Sequence, residues 1–261
     1  MSATYAHYRF GAAMLGKMPA DVSKTAKRHR RMFDVGLHGP DLFFFYRPAF
    51  STKVGRLGNK FHRQTGREFF SRVCRNLRME PCEEGQAYLY GTLCHYVLDS
   101  HSHPLVEQLS WDGIASHARI EAEFDRFLLE QDGKNPPFGM RLTKHMKLTD
   151  RECKIVSGFY PGADGRIIRE SLQGMVRIRK AMEMAEGPAR RAVIKTMSMA
   201  SETFRDMVIT PEPDPVCRQW NMPLMERYRL AEKKFPEMLL QLGAHLTYNA
   251  PLGEDFGPIF G

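Results

Sequence analysis

The chain has 261 residues, 43% of them hydrophobic and 26% charged, proportions that fit a soluble globule and exclude a disordered chain, a low-complexity fibre or a stapled mini-protein. Lys and Arg number 38 against 30 Asp and Glu, a net charge of +8, which favours anionic partners and leaves phosphate, nucleic acid and anionic lipid open. The apolar stretches, such as Leu42-Phe43-Phe44-Phe45-Tyr46, fall far short of the roughly 20 residues of a spanning helix. His7, Arg9 and Lys17 interrupt the region where a secretory signal would carry its apolar run, so the expectation is a cytoplasmic protein, or a secreted one whose leader has been removed.

Helical periodicity dominates and strand patterns are scarce. In chain order, a short helix is expected near residues 5–15, long helices over 20–33, 56–77, 84–100 and 114–131, a short one near 149–158, and long ones over 164–185, 189–208 and 222–242. Pro104 follows the third long helix, Asn135-Pro136-Pro137 the fourth, and Gly187-Pro188 separates two more, all plausible stop signals. The layout predicts an all-α fold, a single compact multi-helix domain over residues 1–261. The acidic, Pro-rich stretch from Thr210 to Pro215 is the one candidate linker, and the segment after it is too short to build its own core. The Gly- and Pro-rich tail from Tyr248 to Gly261 is expected to dock irregularly through Phe256 and Phe260.

Smaller features take ordinary readings. Cys74, Cys82, Cys94, Cys153 and Cys217 are odd in number, with no C-x-x-C pair, and read as reduced, buried thiols. The Met-rich segment from Met175 to Met207 has helical spacing and reads as core. The basic run from Lys24 to Arg31 reads as a solvated helix face, with phosphate or head-group contact as the alternative. Phe43, Phe44, Phe45 and Tyr46 read as core filling, with an apolar wall for an acyl chain or a base as the alternative. His38, His145 and His245 have no evident partner and read as structural or surface residues.

Six of the ten histidines lie among carboxylates in the first half. His95 and Asp99 are four apart on one expected helix, and at about 100° per residue both heads converge on one face. His103 continues the step, whereas His101 lies about 240° round the helix from His95 and should face away unless the helix has ended. Pro104 pushes the residue before it toward an extended conformation, which softens that angle. His103 is therefore preferred as ligand, with His101 as a supporting partner. His117 and Glu121 repeat the four-residue pairing on the next long helix. Imidazole with carboxylate and no thiolate suits zinc or another first-row divalent ion in an open, catalytic site. The bland reading of either pair alone is a surface or capping contact.

The order His7, Asp41, His62, His95, Asp99, His103, His117, Glu121 resembles the ligand order of the bacterial zinc-dependent phospholipase C family, whose fold is shared with single-strand-specific zinc nucleases and 3′-nucleotidases. The most specific match is H-x-x-x-D, a further His, thirteen intervening residues and H-x-x-x-E. The family's ligand helices are covered from about residue 5 to residue 125, and the second half is similar only in being helical.

The resemblance implies about two to three zinc ions. One would be held by His62, His95 and Asp99, with Asp99 bridging to a second bound by His7, and a third would be held by His103, His117 and Glu121. Asp41 would lie near the metals and orient or deprotonate the attacking water. The implied activity is hydrolysis of a phosphate ester of a phospholipid head group or a nucleotide; peripheral contact with anionic surfaces is an expectation from the net charge of +8. A non-catalytic metal-binding scaffold is the alternative outside enzymes. The chain departs from secreted family members, whose mature N-terminal Trp ligates the metal of the first His: here it begins Met1-Ser2-Ala3-Thr4, a departure at the ion expected on His7. No lipid-binding β-sandwich is evident after the helical region.

Overall fold

Twelve helices account for nearly all regular structure in the computed structural model, which describes residues 4–47, 52–134, 146–182 and 187–260. They are α1 (Thr4–Leu15), α2 (Ala20–Arg28), α3 (Arg30–Gly36), α4 (Lys53–His62), α5 (Gly66–Met79), α6 (Glu83–Trp111), α7 (His117–Gln131), α8 (Asp150–Ser157), α9 (Gly165–Met182), α10 (Pro188–Ala200), α11 (Glu202–Asp206) and α12 (Asn221–Tyr248). A 3-10 segment, Gly39–Phe45, follows α3. No strand occurs among the described residues, so the fold is all-α.

Several helix starts follow directly from sequence chemistry. Thr65 and Thr149 each form a reciprocal capping box with the Glu three residues on, and Thr52 and Ser116 accept single caps from Gly55 and Arg119, meeting backbone donors that the first turn leaves free. Thr65 thereby splits the helix expected over 56–77 into α4 and α5. The helix expected over 20–33 breaks at His29, and that over 189–208 breaks at Ser201.

The chief correction concerns α6. It continues to Trp111 instead of stopping at Ser100, with Pro104 inside it. The proline removes one ladder bond, to Ser100, and the packed surroundings hold the remaining turns in place. At 29 residues α6 is about 43 Å long. From Ala87 to Asp99 it is buried on every side, as expected of a central helix apolar all round. Helices α1, α2, α3, α5, α7, α8 and α12 pack around it.

The approach of α3 to α6 is backbone on backbone. A Cβ at Gly91 would stand 2.1 Å from the Phe33 carbonyl oxygen, and one at Gly36 would stand 2.4 Å from that of Tyr88. Only glycines permit this contact, and it sets the 3-10 segment that follows α3 against the middle of α6.

The tail closes the other side. Phe256 and Phe260 are fully buried, Phe260 packing on Phe69 and Tyr96 with ring centroids 4.9 Å away in each case. The Tyr96 hydroxyl donates toward the carbonyls of Asp255 and Pro258. The second half is joined to α7 by a buried polar knot in which Glu123 accepts from Arg126, from Asn221 and from the Asp214 amide. All five cysteines are free thiols.

Two smaller expectations divide. Phe43 and Phe45 are core, while Phe44 is half-buried over the ring of His62. Met175, Met182 and Met207 are core, but Met199 is 81% exposed, because α10 turns its other face to its neighbours. No helix among the described residues is long and apolar enough to cross a membrane.

Candidate metal centre

Five histidines and three carboxylates meet where α1, the 3-10 segment, α4, α6 and α7 converge. Asp99 is their hub. One of its oxygens is 3.1 Å from His7 Nε2 and 3.5 Å from His103 Nε2, and the other is 3.1 Å from His95 Nε2. His103 Nε2 is also 3.5 Å from Glu121 Oε1, which lies 3.2 Å from His117 Nε2. His62 Nε2 is 2.9 Å from Asp41 Oδ1.

Each side chain is delivered by its element. His95, Asp99 and His103 share one face of α6 at four-residue steps, which reaches His103 because the helix runs on through Pro104. His7 stacks on His95, ring centroids 4.5 Å apart and planes 27° apart. His62 closes α4, and its Nδ1–H donates to the Gly58 carbonyl at 2.8 Å. That bond fixes the ring's orientation and points Nε2 at Asp41. Asp41 reaches His95 because Gly39, at φ +46°, lets the backbone lie against that ring. His117 opens α7 and, at 29% side-chain exposure, is the ligand-type side chain that solvent reaches most easily.

The charges follow from this geometry. Burial opposes ionisation of Asp41, but the hydrogen bond from His62 and the nearby His95 outweigh it and hold its carboxyl well below the usual range. Asp99, against His103, His95 and His7, and Glu121, against His117 and His103, are likewise held low despite burial. Burial would strip the proton from His103, yet Asp99 and Glu121 raise it to about 9. His7 is raised for the same kind of reason, by Asp99. Burial wins at His95, pushed down to about 4.

These residues fit a divalent cation. Three groups place one donor atom from each member within 4.8 Å of the others: His7, His95 and Asp99; Asp41, His62 and His95; His103, His117 and Glu121. His95 Nε2, His117 Nε2 and Asp41 Oδ2 are buried without a hydrogen bond, the state of donors prepared for an ion. A cavity of about 20 Å³ between His7, Asp99, His103, Glu121 and Leu224 is large enough for one water-sized occupant. An all-nitrogen and oxygen donor set is suited to zinc in an open site.

The structure brings all eight residues singled out in the sequence into one cluster. It groups Asp41 with His62 and His95, where the resemblance set Asp99 beside that pair. His101 stays outside, its Nδ1–H donating to the Val97 carbonyl. His38 is buried at the start of the 3-10 segment and His245 donates to the Ala250 carbonyl; His145 lies outside the described residues.

Asp125 escaped the sequence reading. Its two oxygens accept the amides of Tyr5 and Ala6 at 2.9 and 2.8 Å, so α7 caps the helix that carries His7. Burial nevertheless pushes its pKa up to about 6. The available signal was position: Asp125 is one further four-residue step beyond His117 and Glu121.

Residues 6–160 match the family described as zinc dependent phospholipase C, a stretch containing every member of the cluster. No curated protein and no solved structure gives a match.

Proposed function

The chain belongs to the zinc-dependent phospholipase C family, and on that premise we propose that it hydrolyses the phosphodiester of a phospholipid head group at the cluster around Asp99. Membership makes it a zinc-dependent phosphoesterase at the level of the family. The observation that supports this substrate and site is the set of three donor triads within the matched segment. In this assignment one ion would be held by Asp41, His62 and His95, a second by His7 and Asp99, and a third by His103, His117 and Glu121.

Zinc, when bound, supplies a Lewis acid for the phosphoryl oxygens and lowers the pKa of a water. The chain's own groups orient and exclude. Asp41 offers Oδ2, which has no hydrogen bond, as acceptor for a hydrogen of the attacking water, and Oδ1, beside His62 Nε2, would take the ion. Its depressed pKa makes Asp41 a weak base, so it directs the water more than it stores the proton. Phe10, Leu42, Phe43 and Tyr96, on the elements that carry the ligands, are fully buried and keep water out of their packing, and substrate arrives on the side of His117.

Zinc-loaded protein should release a phosphorylated head group from short-chain phosphatidylcholine. Asp41→Asn should lower turnover by about a hundredfold or more. A panel of phospholipids, dinucleotides and 3′-nucleotides tests the assignment: cleavage confined to nucleotides would move the substrate class, and no cleavage of any ester with zinc bound would leave a metal-binding scaffold.

A further inference from the structure

We propose that the α6–α7 turn and the end of α10 form a contact surface for a phospholipid bilayer, seating the chain with the His117 side of the cluster toward the lipid. This rests on the phospholipid reading above and adds how the substrate is reached.

Three observations carry it. Trp111, the last residue of α6, is 92% exposed, and Ile114, in the turn after it, is 38% exposed. An indole displayed at a chain reversal is unusual for a surface that meets only water, and its amphipathic ring suits the head-group layer of a membrane. Second, the turn is tied to the helix that follows α10. The hydroxyl of Ser116, the cap of α7, donates to Asp206 of α11 at 2.6 Å, and α11 directly follows α10, whose Met199 is 81% exposed. Arg191, Lys195 and Met199 step by four along α10, all three exposed, and neither cation forms an ion pair among the described residues. A basic stripe ending in an apolar tip is the pattern of an interfacial helix, its cations meeting lipid phosphates while the tip enters the head-group layer.

Third, the surface adjoins the open side of the site. The same turn leads into His117, and Trp111 lies eight residues beyond His103 on α6, about 12 Å along the axis. A bilayer resting on Trp111, Ile114 and Met199 would therefore present head groups next to the most exposed ligand. The net charge of +8 draws the chain to an anionic leaflet.

The test is co-sedimentation of zinc-loaded wild type and Trp111→Ala with vesicles of phosphatidylcholine and phosphatidylglycerol, beside hydrolysis of vesicle lipid and of monomeric short-chain phosphatidylcholine. Trp111→Ala should weaken vesicle binding and vesicle hydrolysis by about tenfold and leave monomer hydrolysis unchanged. Arg191→Glu with Lys195→Glu should abolish the preference for phosphatidylglycerol. Vesicle binding by Trp111→Ala equal to wild type overturns the proposal, as does wild type that binds no vesicle. Concentration-dependent self-association lost in Trp111→Ala, without vesicle binding, would reassign the surface to a second copy of the chain. Because binding is read separately from turnover, a chain that adsorbs yet hydrolyses neither substrate sinks the phospholipase reading and spares this one.

Discussion

Gly39 lies so close beneath His95 that a Cβ at residue 39 would stand 2.5 Å from Cδ2 of the imidazole. At φ +46° the same residue also occupies backbone space that side chains disfavour. Gly39→Ala should therefore cost about 2 kcal/mol of stability or more. By displacing His95 it should weaken the ion shared with Asp41 and His62 before the one at His103 and His117. Denaturant midpoints and zinc titration check both parts; an alanine variant with wild-type affinity at every site would refute the role given to this contact.

His103 and His101 separate cleanly on metal content. His103 faces Asp99 and Glu121, whereas His101 donates to its own helix at Val97. His103→Ala should lose one ion per chain, while His101→Ala should retain the full complement with affinity lowered by at most about 10- to 100-fold. Elemental analysis after dialysis decides, and equal losses in both variants would contradict the placement of His103.

The metal-free protein should be pH-dependent through His103. Its pKa is raised to about 9 by Asp99 and Glu121 against burial, compared with about 6.5 in an unfolded chain. The group's stabilisation is then complete below pH about 6.5 and disappears as pH rises through 9. The stability gap between metal-free wild type and His103→Gln should narrow over that window. Zinc uptake at neutral pH should also release protons, since the ion needs the neutral imidazole. Urea unfolding at several pH values and proton release into weak buffer measure the two effects.

Asp125→Ala should strand the buried amides of Tyr5 and Ala6, costing about 1–3 kcal/mol. It should also loosen the start of α1, so that the ion at His7 weakens while the group at His103, His117 and Glu121 keeps its affinity. Stepwise zinc titration distinguishes this from general unfolding, in which all sites would fail together.

What could be read from the chain alone, and what could not, divides by the range of the interaction. The i, i+4 pairs of His95 with Asp99 and His117 with Glu121 are local, and helical geometry carries them directly into the cluster. The Thr65 capping box is equally local and could have divided α4 from α5. The break at His29 has no Gly or Pro to announce it; there Arg28 and His29 meet Glu83 of α6, a partner distant in sequence. Pro104 misled in the opposite direction, since a proline stops an isolated helix more readily than one packed by neighbours. Met199 followed the core periodicity of its segment and still faces outward, because which face of α10 is covered depends on α9 and α11.

The docked tail constrains the order in which the chain can become active. Phe256 and Phe260 fill space against Phe69, Phe70 and Tyr96, and Tyr96 is the immediate neighbour of His95. On a ribosome every ligand emerges long before these two rings do. Nascent chain halted after residue 160 would hold all the donors yet lack the plug behind His95, so zinc capture should mature late, once residues 256–260 have left the exit tunnel.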